Sequence, residues 1–500
     1  MKIALISVNT PFPCDGFRLI LALLRKDGHT VTAISLPRSV PLACTEHELT
    51  QLGRAVAGTD LILISVYSSF SARAIQVTNF LRGLQPDRKI IWGGPHCVAS
   101  PEDCLRHADG VCYAEGDAAV PHFINLMAQG NPNWMRTRNM GFRTPGGIKI
   151  NGLLPPTTDL DELPFYDYSF ENEFILDRTL EPVGTGLLRR YLPVHPFMVP
   201  TATFLTSRGC PHHCAYCNNC RYVALHGRVP IRRQSVGRFM DEVEHTLARM
   251  PWVEHVLFGD DDFLIRPIAE LKTFAERYRK TVNRPFAICL SANTYRHDKL
   301  DILLDCGLKI AQFGVQSGSQ RVLDEVYARG VRADKARQVI EETAPLLARH
   351  GGLALCDFII DNPYETEEDV LATYHFLVDL PHEAFTEIFS LVFFPGTPLY
   401  ERALADGHIR PFDPSAFRDY TSATALFQIH YPLLLIRILE AFREQRLHHR
   451  IPRRLLHALA SRPVRLFMRL IPRPVMSRLI RHAPGVIRRV SGILRRLCRR

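Results

Sequence analysis

The segment TSRGCPHHCAYCNNC sets Cys210, Cys214 and Cys217 at C-x3-C-x2-C spacing, with Cys220 three residues further on. Thiolates are soft ligands that suit iron–sulfur clusters or zinc. Three of them on one loop can hold three irons of a [4Fe–4S] cluster and leave the fourth iron open to a chelating substrate, through which an electron can break a bond. Zinc is the competing reading, with His212, His213 or Cys220 completing the set. Zinc sites pair two ligand groups at a distance, however, and no second CxxC or HxxxH follows. Cys220 as a fourth cluster ligand would close the open iron and leave a redox scaffold or sensor.

Two further groups have chemistry-bearing residues at the ends of strand-like runs. FGDDDF (258–263) carries Asp260 and Asp261, whose carboxylates can accept from an ammonium or a ribose hydroxyl. Adjacent acids at a strand end are costly without a cationic partner. FGVQSGSQRVLDEVYARG (313–330) puts Gln316, Ser317 and Ser319 at a strand-to-turn junction, where they can reach a nucleoside or cap the next helix.

The cysteine loop resembles the CxxxCxΦC signature of the radical S-adenosylmethionine superfamily, with Tyr216 as the aromatic Φ. The resemblance implies that S-adenosylmethionine chelates the open iron and is reduced to a 5′-deoxyadenosyl radical, with Tyr216 beside the adenine. FGDDDF, the 313–330 stretch and FFPGTPLY (393–400) are similar to segments of the subgroup that also binds cobalamin. DFIIDNPYETEED (357–369) resembles that subgroup's FIIGLPGETEED, with Asp361, Asn362 and Tyr364 in place of Gly, Leu and Gly. Near the start, GGPH (93–96) and AEGD (114–117) resemble the GGPH and GEGE turns of cobalamin-binding domains. This implies that Gly93, Gly94, His96, Glu115 and Gly116 lie at the corrin or its tail, where glycine lets backbone approach. Ser65 and Ser68, after LILISV, are placed to bond the tail. DGHTVT (27–32) is not an axial-histidine motif: it lacks the final glycine and follows a helix rather than the first strand.

The expected enzyme therefore uses three cofactors: a [4Fe–4S] cluster, S-adenosylmethionine and cobalamin. Its expected reaction is hydrogen abstraction followed by methyl transfer to an unactivated carbon. The alternative is a cobalamin-assisted rearrangement, cyclisation or oxidation without methyl transfer.

The elements that must position these groups are α/β. Residues 1–130 alternate apolar strands with helices and predict a doubly wound, Rossmann- or flavodoxin-like domain. The cobalamin turns fall at its strand ends. Residues 131–195, rich in proline and glycine, read as a linker. Residues 196–400 resume βα alternation, with six strands from ATFLT to IFSLVFF, as in a partial (β/α)6 TIM-like barrel carrying chemistry at the carboxyl ends. Residues 401–500 read as helical and basic, and no internal repeat stands out.

From Arg443 onward there are seventeen arginines and one acid, Glu444, so the net charge of +10 is a property of the tail and the rest is mildly acidic. Val486, Val490, Ile493 and Leu497 fall on one helical face. The tail suits an anionic membrane surface or an acidic protein face. Nucleic acid is disfavoured, because aromatics for stacking are scarce. The start lacks a secretory signal and no run reaches the ~18 apolar residues of a membrane span. A cytoplasmic enzyme is expected, peripheral to the inner membrane surface if the tail binds there. Its remaining expected partners are a small-molecule or natural-product substrate and an external electron donor of flavodoxin or ferredoxin type. An odd count of thirteen cysteines fits thiols and metal ligands rather than a disulfide framework.

Overall fold

Strands β1 (Lys2–Ser7), β2 (Thr30–Ser35), β3 (Leu61–Ser65), β4 (Lys89–Gly93) and β5 (Gly110–Cys112) are apolar along their length because both faces are covered. In the computed structural model, which describes residues 1–9, 16–37, 43–194, 197–227, 230–411 and 427–497, Ala4, Ile6, Ile62 and Ile64 enter one core. Ile3, Leu5, Leu61 and Leu63 enter another on the opposite face. These five strands are parallel in the order β2-β1-β3-β4-β5. That is the flavodoxin-like order, with its switch point between β1 and β3.

Residues 131–195 do more than link. They supply the antiparallel pair β6 (Met140–Thr144) and β7 (Gly147–Ile150) beyond β5, then β8 (Glu173–Asp177) beside β2, and β9 (Thr179–Pro182). The sheet thus reaches nine strands. All four residues of β7 are exposed, so no hydrophobic alternation marks it. A buried Arg18–Glu173 ion pair (2.7 Å) ties β8 to the helix Gly16–Lys26.

Beyond the short edge strand β10 (Pro193–Val194), β11 (Val199–Phe204) opens the second sheet, and the two-residue β12 (Ser207–Arg208) pairs antiparallel with β13 (Arg232–Arg233). Next come β14 (His255–Phe258), β15 (Phe286–Leu290), β16 (Leu308–Gln316), β17 (Leu353–Ile360) and β18 (Ala384–Ser390). The six strands β11-β14-β15-β16-β17-β18 run parallel in that order, the partial barrel expected. The sixth starts earlier than IFSLVFF because its register with β17 begins at Ala354↔Ala384. Alternate residues Ala287, Ile310 and Leu355 form a small inner core, while Ile288, Ala311 and Ala354 face the helices. The C-terminal region is helical over Tyr431–Glu444, Arg453–Leu459, Arg462–Met468 and Arg473–Leu497. Residues 412–426 lie outside the described residues.

Candidate functional site

The carboxyl ends of β1, β3, β4 and β5 face the barrel across a cavity of about 620 Å³. Ser7, Ser65, Gly93 and Gly116 line one wall, and Cys210, His212 and Asp261 line the other. Gly94 has φ 96°, and a Cβ there would meet the Val66 carbonyl at 2.9 Å, so this turn demands glycine. Ser65 Oγ accepts from Asn9 Nδ2 (3.2 Å), which fixes the switch-point loop.

His96, expected near the corrin, and Ser68, expected at its tail, do not line this cavity. His96 is fully buried beside Ser68, Nδ1 to Oγ 3.1 Å. The pair instead packs the helix Pro95–Ala99 onto the 3-10 turn Ser68–Phe70. Glu115 does line the cavity, but its carboxylate takes two hydrogen bonds from Arg232, at 2.6 and 2.9 Å. Asp117 pairs with Arg208. The AEGD turn thus latches the first domain to the β12–β13 ribbon that carries the cysteine loop. His29 lies near the amino end of β2, against Asn125 (3.1 Å), far from any axial role.

The cysteine loop is pinned at its centre by backbone. Ala215 N donates to Tyr327 O (2.8 Å), and Leu399 N donates to Ala215 O (2.9 Å). FFPGTPLY therefore buttresses the loop directly. Its Gly396, at φ 73°, lets the turn approach the first domain: a Cβ would sit 2.4 Å from the Ala99 carbonyl. Burial pushes the thiols of Cys210 and Cys217 up to about 12, so in the metal-free chain they are protonated and iron must displace those protons. Among the described residues no three His, Cys, Asp or Glu side chains converge on one ion. The donor set is three thiols on one loop, which fits a cluster shared among several irons better than a single zinc.

Arg329, whose importance sequence reasoning did not single out, is buried behind this loop. It donates to Tyr216 Oη (2.9 Å), to Cys214 Sγ (3.4 Å) and to the Gly314 carbonyl. Gly314 leaves it room, since a Cβ there would stand 2.6 Å from Nη2. The signal was the RG pair closing the 313–330 stretch.

The acids of FGDDDF divide by role. Asp260 is buried and accepts from Thr206 N (2.7 Å), Thr206 Oγ1 (2.6 Å), Ser207 N (2.5 Å) and Ser207 Oγ (2.8 Å). Buried Arg266 bonds the other side of Thr206 (2.7 Å). Asp260 therefore holds the approach to the cysteine loop, and its oxygens are taken. Asp261 is exposed into the cavity and, among the described residues, accepts from Asn219 Nδ2 (2.9 Å) alone. Ser317 and Ser319 are buried and turned to structure. Ser319 Oγ donates to Asp369 (2.5 Å), and Ser317 Oγ meets Thr373 Oγ1 (3.2 Å), docking the turn on the helix Glu367–Asp379. Gln316, at φ 72°, marks the β16 end where the pairing with β17 shifts.

At the end of β17, both Glu365 oxygens are buried without a hydrogen-bond partner, as is Asp361 Oδ2. Burial pushes the Glu365 carboxyl up to about 8 and that of Asp361 up to about 7. The unfolded chain releases these protons near pH 4, so between there and about pH 8 the folded state binds more of them and stability falls as pH rises. Glu365→Gln, which cannot ionise, should flatten that slope and raise the thermal midpoint at pH 8 relative to the parent, less so where the new amide is itself left unbonded. A midpoint-versus-pH series identical to that of the parent would refute this.

Residues 1–124 match the B12 binding domain family and residues 204–377 match the Radical SAM superfamily. The chain thus carries a radical S-adenosylmethionine domain joined to a cobalamin-type domain. It is 23% identical over 380 residues to an uncharacterised methyltransferase of Pyrococcus horikoshii, covering 74% of each chain. It is 24% identical over 399 residues to cytidylyl-2-hydroxyethylphosphonate methyltransferase of Streptomyces wedmorensis, covering 71% of this chain and 68% of that one. The structure of TsrM, a radical S-adenosylmethionine methyltransferase of Kitasatospora setae solved with tryptophan and a S-adenosylmethionine analogue, superposes with TM-score 0.63 at 15% identity, over 81% of this chain and 76% of that one. The same enzyme with cobalamin and a [4Fe–4S] cluster gives TM-score 0.62 over 81% and 75%.

Proposed function

We propose that this protein is a cobalamin-dependent radical S-adenosylmethionine methyltransferase acting on a small molecule or natural product. The observation that carries the reading is that one 620 Å³ cavity has both the cobalamin-type strand ends and the cysteine loop as its walls. When bound, the cluster supplies one electron to the sulfonium of S-adenosylmethionine, and cobalamin supplies the methyl group. Cys210, Cys214 and Cys217 would hold the cluster. Asp261, oriented by Asn219 on one oxygen, offers its carboxylate to the ammonium of S-adenosylmethionine. Tyr216, its hydroxyl held by Arg329, packs edge-on against Tyr327 (5.0 Å) and lies behind the cavity wall rather than in it. Gly93, Gly94 and Gly116 let the first domain's backbone come close to the corrin. Ion pairs from Arg208 and Arg232 to the AEGD turn keep the two walls together and help to exclude water.

The enzyme works in the cytoplasm with an external one-electron donor of flavodoxin or ferredoxin type. Anaerobic reconstitution with cobalamin, a reductant, candidate acceptors and methyl-labelled S-adenosylmethionine tests the reading. Label in the product, with 5′-deoxyadenosine and S-adenosylhomocysteine both released, is expected. Formation of 5′-deoxyadenosine and an altered but unlabelled product would overturn methyl transfer in favour of rearrangement, cyclisation or oxidation.

A further inference from the structure

The three helical segments between Arg453 and Val486 are apolar on two faces. Inward, Leu456, Ala460, Met476 and Ile480 are buried in the barrel's main core, with Val464, Met468 and Ile471 beside them. Outward, Leu455, Leu459, Leu466, Phe467, Leu470, Val475, Leu479 and Val486 are exposed. Those eight are two-thirds of the twelve large exposed hydrophobics among the described residues, gathered in 32 positions of one docked helical region, a concentration unlike the single scattered apolar residues normal to a surface.

The in-and-out pattern recurs at a twenty-residue interval: Leu455 and Leu459 out with Leu456 and Ala460 in, then Val475 and Leu479 out with Met476 and Ile480 in. This is a repeat that the sequence reading missed, because each unit is short and interrupted by proline. The arginines divide likewise. Arg465 and Arg469 bind Glu367 (3.0 and 2.6 Å), and Arg488 binds Glu444 (2.6 Å), docking the helices on the acidic body. Arg454, Arg462, Arg473, Arg478 and Arg489 are exposed and have no carboxylate partner among the described residues. No acid follows Glu444 anywhere in the sequence.

We infer that the outward face of residues 453–486 is a docking surface for an anionic lipid bilayer. The partner must be apolar and negative at once and must lie along several short helices. A bilayer interface meets all three conditions, with leucines below the headgroups and arginines at the phosphates. A second copy would set unneutralised arginines against their like. Nucleic acid would find one exposed aromatic, Phe467, on which to stack. No described helix is long and apolar enough to cross the membrane, so the contact is peripheral. Of the face expected further along, Val486 belongs to this surface, and the side chains of Val490, Ile493 and Leu497 lie outside the described residues.

Vesicle flotation of the purified full chain tests this independently of catalysis. Phosphatidylcholine vesicles containing phosphatidylglycerol should carry it at least about tenfold better than phosphatidylcholine alone. Leu466→Ser/Phe467→Ser/Leu470→Ser alters side chains that are 52, 69 and 77% exposed, so its thermal midpoint should match the parent's while flotation falls by about tenfold or more. Arg462→Gln/Arg473→Gln/Arg478→Gln should abolish the preference for anionic lipid. Equal binding to neutral vesicles overturns the inference, as does undiminished flotation of the leucine–phenylalanine variant. A parent that stays unbound but forms a dimer which that variant disperses also overturns it, in favour of a second copy.

Discussion

Replacing Cys214 by alanine should abolish 5′-deoxyadenosine formation, a loss of at least about a thousandfold, and should strip iron from anaerobically purified protein. Of the three clustered thiols it is the most buried, and Arg329 already points at its sulfur (3.4 Å). Two remaining thiolates leave a second iron uncoordinated by protein, so the cluster loses its attachment as well as an electron path. Removing the thiol also leaves a buried guanidinium facing nothing on that side. Cys220→Ala should behave oppositely. Cys220 is half-buried at the start of the helix Asn219–His226, its N–H bonded to the Cys217 carbonyl (3.1 Å), and it is surplus if one iron must stay open. Iron content, cluster absorbance and 5′-deoxyadenosine yield should match the parent. Loss of iron from Cys220→Ala, or a cysteine sulfur on all four irons by iron-edge spectroscopy of the free protein, would end the reading of an open iron.

The cysteine spacing was legible because covalent neighbours on one loop carry their geometry with them. Both sheets were legible for a related reason: strands covered on both faces leave continuous apolar runs. The fates of individual polar residues were not, since those depend on neighbours far away in sequence. Ser319 bonds Asp369, fifty residues on, and Glu115 bonds Arg232, 117 residues on. A serine or glutamate at a strand end looks the same in sequence whether it meets a ligand or another element. His96 illustrates the point: the GGPH turn has the expected backbone, while its histidine is spent on Ser68. The strands β6 to β9 were hidden because the edge strands β7 and β9 carry little apolar signal, β6 and β8 are only five residues each, and proline-rich flanks made the whole stretch look like connection.

Asp260 and Asp261 are adjacent, yet their substitutions should fail in different assays. Asp260→Ala removes the acceptor of two backbone N–H groups and two hydroxyls at Thr206 and Ser207, all buried. It also leaves Arg266, 1% exposed, with only Glu270 (3.0 Å) as counter-charge. Breaking a buried network of this kind costs about 3–5 kcal/mol, which for a domain of this size lowers the thermal midpoint by roughly 10 °C. Iron retention should fall with it, because Thr206 and Ser207 lead directly into the cysteine loop. Asp260→Asn, which keeps an acceptor for the two N–H groups, should recover part of both.

Asp261→Ala removes an exposed carboxylate with one partner and should leave stability within about 0.5 kcal/mol of the parent. Its effect should appear in S-adenosylmethionine affinity of the iron-loaded protein. Losing a charge-assisted hydrogen bond to the ammonium, about 1.5–3 kcal/mol, weakens binding by roughly ten- to a hundredfold. Differential scanning calorimetry, iron analysis and equilibrium dialysis on the same preparations separate the two. If Asp260→Asn stays stable and iron-replete yet loses the sulfonium substrate, while Asp261→Ala binds it normally, the ligand role belongs to the buried acid and the assignment made from its hydrogen bonds is wrong.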